Sequence, residues 1–489
     1  MIPDSFVEVL DGSLGLEGSV SDDVHLKIGV STGGTPLTIY SYSGDDTAAK
    51  ADLIGGPLAE RVVSSLAEGA PTVYAMPVTP SVAGTVGVVA LAGTGTATLA
   101  TTGSAPANAF EVIVKITRAG VSLAAATAAF VVSLDGGDTF SAETAVPVSG
   151  IISSAVPLTG LVLTFATGTF VVGDTYSFKT TAPSLTLADI NAAFDVALAD
   201  PREWRFVHIV GASSGTIAAG MSVKLQTAKT LHRYTRCGLE ARDKLDSESY
   251  AQWVSAIAAD FANIADGRIF VMATPTEMVS TISGQVQRLS AAGIITGRIG
   301  RRSISEDAGR VRTGPIAGIT KLYHDERATP SLDALRFITL RTHIGRAGFY
   351  ITQGITLAAA GSDFKLLQNG FVMDKAAKIV RDGTLFYLND SLVLNAGGTI
   401  DEVQAKAIEA DLRGQLRAAL LDKGDISQEP VVTIRRTNNI LSTGQLFIRY
   451  AILPLGYAKF IYNELTFVNP ALVPQIPPPA PGQAAGVKV

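Results

Sequence analysis

From Gly444 to Val468 the chain reads GQLFIRYAILPLGYAKFIYNELTFV, and this stretch limits the architecture more than any other. Leu446, Ile448, Tyr450 and Ile452 fall on every second residue, so an extended chain carries all four on one side, the period of a half-buried strand. Pro454 and Gly456 break the run. A second run, Tyr457 to Val468, sets Ala458, Phe460, Tyr462 and Val468 on one face, and two antiparallel strands joined at LPLG is the simplest expectation. Upstream, VVTIRR (Val431 to Arg436) supplies a third strand, with turn chemistry in the TNNILSTG between them. After Asn469 the chain is Pro-rich and nearly chargeless. A small antiparallel sheet is therefore expected with little chain left to cover its outer strands. Open edges of this kind stay short and polar or pair with another chain.

The 489 residues exceed one ordinary core, so about two to four domains are expected. Charged residues make up 17% and hydrophobic residues 47%, which fits a folded protein with much buried surface, part of it against copies of itself. A net charge of -5 gives no global reason to bind nucleic acid or acidic membranes. The single cysteine, Cys237, excludes an intramolecular disulfide and a cysteine-built zinc site, and cytoplasmic folding is the inference. The opening MIPDSFVEVLDG has acids where a signal peptide has a basic segment. The chargeless run Thr144 to Gly173 carries two prolines and many Ser, Thr and Gly, so it reads as surface strands and not as a lipid-buried helix.

Taken in order, residues 1–23 read as an arm: SFVEVL alternates like a strand, but a glycine-rich segment follows and leaves it no partner in its own domain. Residues 24–79 read as the first half of an α/β layer, with strands VHLKIGV, LTIYSY and TVYAMPV and a helix face of Leu58, Val62 and Leu66. Residues 80–184 change composition to Thr, Val, Ala and Gly runs with turn dipeptides, the signature of an inserted β-sandwich. From 185 to 395 strands alternate with helices, which implies a mainly parallel sheet. Here Met278, Ile282, Val286 and Leu289 have helical spacing, and GIITGRI reads as a strand. Residues 396–470 hold a helix with a capping-box spacing at Thr399 and Glu402, a stripe of Ile408, Leu412, Leu416 and Leu420, and a stop at Gly424, covering the terminal sheet. Residues 471–489 are a Pro-rich tail. The fold class is thus multidomain α+β and α/β: a mixed-sheet core, an inserted β-sandwich, and a C-terminal antiparallel sheet with its helix.

Gly211-Ala212-Ser213-Ser214-Gly215 matches G-x-S-x-G between a strand and a helix, the context of a nucleophile elbow. His324, Asp325 and His343 lie downstream, but no HGGG-type oxyanion segment precedes the serine, and a structural Gly/Ser turn is the plainer reading. GTGTAT at Gly93 lacks the third glycine of a dinucleotide loop, and no phosphate-loop motif occurs. Arg298, Arg301, Arg302, Arg310 and Arg312 form a basic group that Glu306 and Asp307 interrupt, with no aromatic interleaving; it reads as an inter-subunit salt-bridge surface rather than a nucleic-acid site. The five histidines have no metal-type spacing, and Cys237 reads as a small buried residue.

The SFVEVL arm, with Pro3, Phe6, Val7 and Glu8, the module from Ile28 to Val78, with a glycine ahead of Thr72 to Tyr74, and the terminal ILPLGYAKFIYNELTFVNP together resemble the tail sheath proteins of contractile phage tails. The resemblance implies a structural, non-enzymatic subunit without cofactor or metal. It implies polymerisation as a helical sleeve around an inner tail tube, with baseplate and tail terminator proteins as further partners, in a virion tail assembled in the bacterial cytoplasm. It also implies strand exchange between neighbours, for which Phe6, Val7, Glu8 and Val9 of the arm and Leu446, Ile448, Tyr450, Ile452, Phe460 and Tyr462 of the terminal sheet are the candidates. Charged helical faces suit releasable contacts to the tube, because screened ion pairs are individually weak; Lys365, Lys375, Lys378 and Arg381 form one set and Asp401, Glu402 and Glu409 the other. Two readings from other classes stand beside it: a serine esterase of α/β-hydrolase type using Ser213, with His324 or His343 as base, and a virion decoration or adhesion protein acting through its β-insert.

Overall fold

In the computed structural model the described residues are 22–101, 105–245, 247–463, 465 and 467. The arm with Phe6, Val7, Glu8 and Val9, and the Pro-rich tail 471–489, lie outside them.

The central element is a seven-stranded sheet in the spatial order Phe337–Ile338, Ile269–Met272, Arg236–Ala241, Phe206–Ser213, Val24–Gly29, Thr72–Pro77, Tyr40–Ser43. All neighbours are parallel except Tyr40–Ser43, which runs antiparallel to Thr72–Pro77. VHLKIG is buried at every position because layers pack on both faces of the sheet: Val24, Leu26 and Ile28 enter one core, and the polar His25 and Lys27 between them are buried on the opposite face. Leu26, Ile28, Val207, Ile209 and Val271 point into one core, shared with the helices Leu187–Ala199, Gly215–Thr230 and Tyr250–Phe261. Phe206, Phe270, Met272 and Ile338 point the other way, into a second core that continues through the helices Ala292–Arg301, Leu367–Leu385 and Glu402–Leu416 to the terminal strands.

Two expected elements exchange type. Residues 275–290 form an antiparallel hairpin, Pro275–Val279 with Val286–Ser290, where the apolar spacing suggests a helix. Its reversal is built by Ser280, whose hydroxyl oxygen accepts the N–H groups of Ile282 and Ser283, and by Gly284 at φ 71°. The following GIITGRI lies in a helix, Ala292–Arg301, and not in a strand. Its glycines serve close packing: a Cβ at Gly297 would lie 2.7 Å from the Ser65 Cα, and one at Gly293 would meet the Ser64 hydroxyl. Tertiary contact with the helix Pro57–Ala67 thus outweighs the poor helix propensity of Gly and Ile.

The insert has no α-helix among the described residues. A five-stranded antiparallel sheet (Ala90–Ala92, Thr175–Lys179, Glu111–Arg118, Ala129–Ser133, Thr144–Ala145) shares one apolar cluster with the two-stranded ladder Leu99–Thr101 and Leu163–Phe165. Phe165 sits at its centre, edge-on to Phe130, Phe170 and Tyr176.

Among the C-terminal elements, the helix Glu402–Leu416 buries Ile408, Leu412 and Leu416 as its spacing requires, and a π-helical turn, Arg417–Leu421, adds Leu420. Its N-cap is Asp401, which accepts the N–H groups of Val403 and Gln404, and not the Thr399 of the capping-box expectation. Gly424 ends the segment at φ 77°.

Candidate assembly interface

Val431–Ile434 and Ile448–Ala451 form an antiparallel ladder in the register Val431↔Ala451, Val432↔Tyr450, Thr433↔Arg449, Ile434↔Ile448. The expected alternation is present: Leu446, Ile448, Tyr450 and Ile452 are half-buried against the second core, while Phe447, Arg449 and Ala451 are exposed. The ladder is extended by Arg435 N–H to Phe447 O at 2.9 Å and by Ser427 N–H to Leu453 O at 3.0 Å. Those bonds fix the direction of every peptide group. Phe447, Arg449, Ala451 and Leu453 turn toward the partner strand, so Ile448, Tyr450 and Ile452 turn their N–H and C=O groups to the other side.

The two outer edges differ. On the Val431–Ile434 side, the outward N–H of Ile434 donates to Glu409 Oε1 at 2.6 Å, and Arg436 Nη1 donates to Ile434 O at 2.8 Å. Arg436 also binds Glu409 at 2.7 Å and Glu402 at 2.7 Å. These bonds hold both carboxyls below their usual range. That edge is capped by side chains at Ile434. On the Ile448–Ala451 side, no strand pairs with the edge among the described residues. The Tyr450 hydroxyl beneath it is buried without a hydrogen-bond partner.

The second strand expected at Tyr457 to Val468 is not present among the described residues: 455–463, 465 and 467 hold no regular element, and Phe460 and Tyr462 are exposed at 80% and 81%. An alternating apolar segment has no reason to extend in isolation, since a lone strand satisfies none of its backbone groups.

The charged candidates occupy the two helices beside the ladder, with Lys365 in the 3-10 turn before Leu367–Leu385. Lys375 pairs with Asp22 at 2.6 Å and Asp425 at 3.5 Å, and Lys378 with Glu203 at 3.2 Å. Asp401 caps its helix, and Glu402 and Glu409 are held by Arg436. Lys365 and Arg381 have no ion pair among the described residues. The Glu409–Arg436 clamp itself escaped sequence reasoning, although Arg436 two residues past Ile434, and Glu402 and Glu409 seven apart on one helix, were the available signal.

The remaining chemistry is consumed inside the chain. The strand order reverses between Val24–Gly29 and Phe206–Ser213, the place where open α/β sheets bind ligands. A crevice of about 400 Å³ lies there, lined by Arg61, Ser213, Glu240, Asp243 and Arg288. Its anion-binding positions are taken: the helix N-terminus at Gly215 donates to Asp260 Oδ1 at 3.0 Å, Ser214 caps Ile217 N–H, and Leu58 N–H donates to Val30 O at 2.8 Å. Arg61 grips Glu240 through Nε and Nη2, both at 3.0 Å, and Arg288 binds Asp243 at 2.7 Å. Ser213 donates only to Gly211 O, at 3.3 Å, and no histidine bonds to it among the described residues. His324 is 2.9 Å from Glu326, and His343 packs edge-on to Tyr350. Burial pushes the Cys237 thiol well up, consistent with an inert buried residue.

Behind the crevice, Lys27 Nζ sits 3.0 Å from His208 Nδ1 and 2.6 Å from Thr296 Oγ1, and His208 Nε2 lies 3.2 Å from Glu240. Burial, then Lys27, pushes His208 down to about 4. Burial would raise the Glu240 carboxyl, but Arg61 and His208 outweigh it and hold the group well below the usual range. Four of the five arginines expected to face a neighbour are paired within the chain: Arg298 and Arg301 with Glu68, at 2.7 and 4.0 Å, and Arg302 and Arg310 with Glu306, at 3.7 and 2.6 Å; Arg312 has no ion pair among the described residues. Among the described residues there is no metal-type cluster, and no helix is long and apolar enough to cross a membrane.

This mixed α/β structure with several sheets shares the fold of contractile tail sheath proteins. The helical sheath of the anti-feeding prophage in its contracted state matches with a TM-score of 0.52 at 11% identity, over 95% of this chain and 99% of that one. The sheath complex of an extracellular contractile injection system, PVC, in its contracted state matches with a TM-score of 0.51 at 10% identity, over 95% of this chain and 97% of that one. The chain belongs to the family described as DUF2586, N-terminal domain, whose model matches residues 2–355. No curated protein matches it in sequence.

Proposed function

We propose that this protein is the structural subunit of a contractile tail sheath. It polymerises as a helical sleeve around an inner tail tube, by strand exchange between neighbours, and contracts to drive the tube through a target cell envelope. The observation that carries the reading is the open edge at Ile448, Tyr450 and Ile452, opposite an edge that Glu409 and Arg436 cap at Ile434. A donated strand supplies the missing hydrogen bonds, and its alternate side chains set register. SFVEVL, with Phe6 and Val9, has the period of such a strand, and so do Phe460 and Tyr462 in the exposed segment after Pro454. Lys365 and Arg381 are the tube-facing candidates that keep a charge to offer. Baseplate and tail terminator proteins cap the sleeve, which belongs to a virion tail built in the host cytoplasm.

Electron microscopy of purified protein tests this. Wild type forms sleeves, and protein lacking residues 1–12 stays folded by circular dichroism without forming them. Ile448→Pro removes one outward N–H and leaves the inner ladder intact, so it lowers sleeve yield without unfolding the monomer. Long ordered sleeves from the truncated protein would rule strand exchange out.

A further inference from the structure

The two edges of the central sheet carry opposite charge, and the chain itself answers only part of it. At one edge, Phe337–Ile338 runs directly into the hairpin Leu340–His343 and Arg346–Ile351. Its tip is a two-residue turn with Gly345 at φ 77° and Ile344 exposed at 87%. Arg341 and Arg346 flank it; neither has an ion pair among the described residues, and the Arg341 Nε is buried without a hydrogen-bond partner. Their field is felt by His343 between them, whose pKa is lowered by burial first and by these two arginines next.

At the other edge, Tyr40–Ser43 runs directly into Gly44, Asp45 and Asp46, and the helix Thr47–Leu53 brings up Asp52. Lys50 answers Asp46 at 2.8 Å, while Asp52 accepts only the Tyr42 hydroxyl, at 3.2 Å, and Asp45 the N–H of Thr47, at 3.1 Å. Three carboxylates thus stand against one ammonium. Six strand spacings separate the edges, about 29 Å. The acidic turn lies at the start of the parallel strands, since Ser43 pairs with Thr72. The hairpin lies at their end, since Ile338 pairs with Met272.

We propose that the tip of the Leu340–Ile351 hairpin docks on the acidic turn of a second copy of this chain, Arg341 and Arg346 meeting Asp45, Asp46 and Asp52 with Ile344 as the apolar contact. The inference rests on the sheath reading and adds a lateral contact distinct from strand exchange. When a patch meets a different patch on the next copy head to tail, repetition gives a ring where the rotation closes and an open helix where it does not. The two patches are offset both across the sheet and along its strands, which suits an operator with a translation along the axis and hence an open helix.

Charge reversal in two separate proteins tests it, by sedimentation and electron microscopy. Arg341→Glu/Arg346→Glu places acid against acid, and Asp45→Lys/Asp46→Lys places base against base. Each alone requires a concentration about tenfold or more above wild type to form sleeves, with unchanged circular dichroism. An equimolar mixture assembles near the wild-type concentration, because alternating copies restore opposite charges at every contact. Arg346→Glu, which leaves half-buried Arg341 in place, gives a smaller shift in the same direction. If both reversed proteins assemble as wild type does, or if both are folded and their mixture fails, the pairing is wrong while the sheath reading stands. If wild type forms no sleeve, the sheath reading falls and the pairing with it.

Discussion

Beneath the helix Pro57–Ala67 and along the strand Ile448–Ala451, the same kinds of polar group meet opposite fates. Around Lys27, His208, Glu240 and Arg61 the donors and acceptors of five elements converge on one another within the chain. Along Ile448, Tyr450 and Ile452 the backbone groups face outward with no strand beside them among the described residues. Burial explains the contrast. A charge removed from water must be paired at once, whereas an edge still in water can wait for a partner. The interior is therefore closed on itself, while the ladder keeps outward backbone groups along Ile448, Tyr450 and Ile452.

The comparison breaks most sharply at Glu240. Glu240→Ala leaves Arg61 buried without its carboxylate, and the monomer loses about 3–5 kcal/mol in denaturant unfolding. A loss under about 1 kcal/mol would mean that water already reaches the site. Acid probes the same network more gently. His208 stays neutral in the fold down to about 4, while an unfolded histidine binds a proton near 6.5. The unfolded state thus holds more protons between those values, and stability falls as pH drops through that window, by at most about 3 kcal/mol. His208→Gln flattens this slope. Glu240, whose folded pKa is depressed, adds its own loss only below the ordinary carboxylate range.

Gly297→Ala comes next. The new methyl meets the Ser65 backbone, and overpacking there costs about 1–3 kcal/mol in thermal unfolding. Sleeve formation by the surviving folded protein is unchanged, which separates the interior from the edge. Ser213→Ala sharpens the contrast from the other side. It removes only a 3.3 Å bond to Gly211 O, so stability changes by about 0.5–1 kcal/mol, and assembly is as wild type. Fluorophosphonate labelling lost in this variant would restore the esterase reading.

Period-two and period-3.6 patterns were legible wherever one face of an element meets a core. VHLKIGV, RFVHIV and RIFVMA are strands of the central sheet, and Ile408, Leu412 and Leu416 line one helix. Reading failed where a distant element decides. The glycines of GIITGRI look like strand punctuation until the helix at Ser64 and Ser65 is laid against them, and Met278 to Leu289 alternates only once Ser280 has turned the chain. At the ladder, the alternation of Leu446 to Ile452 told which side chains point inward. It could not tell which edge is open, because the seal comes from Glu409, a residue 25 positions before Ile434. The arginines near Arg298 were visible as a group, but their partner Glu68 lies 230 residues away.

The seal by Glu409 and Arg436 also fixes a number. In the language of polymer chemistry, a ladder with two bare edges is a bifunctional acceptor: it can take a strand on each side, branch, and seed sheets that widen without limit. Stopping one side with a carboxylate and a guanidinium reduces the valence to one. Under the proposed strand exchange, a monomer of that valence would accept one strand and then be saturated, so that growth would follow connectivity rather than stickiness. Loss of the Arg436 guanidinium would not weaken such a chain so much as permit it to branch.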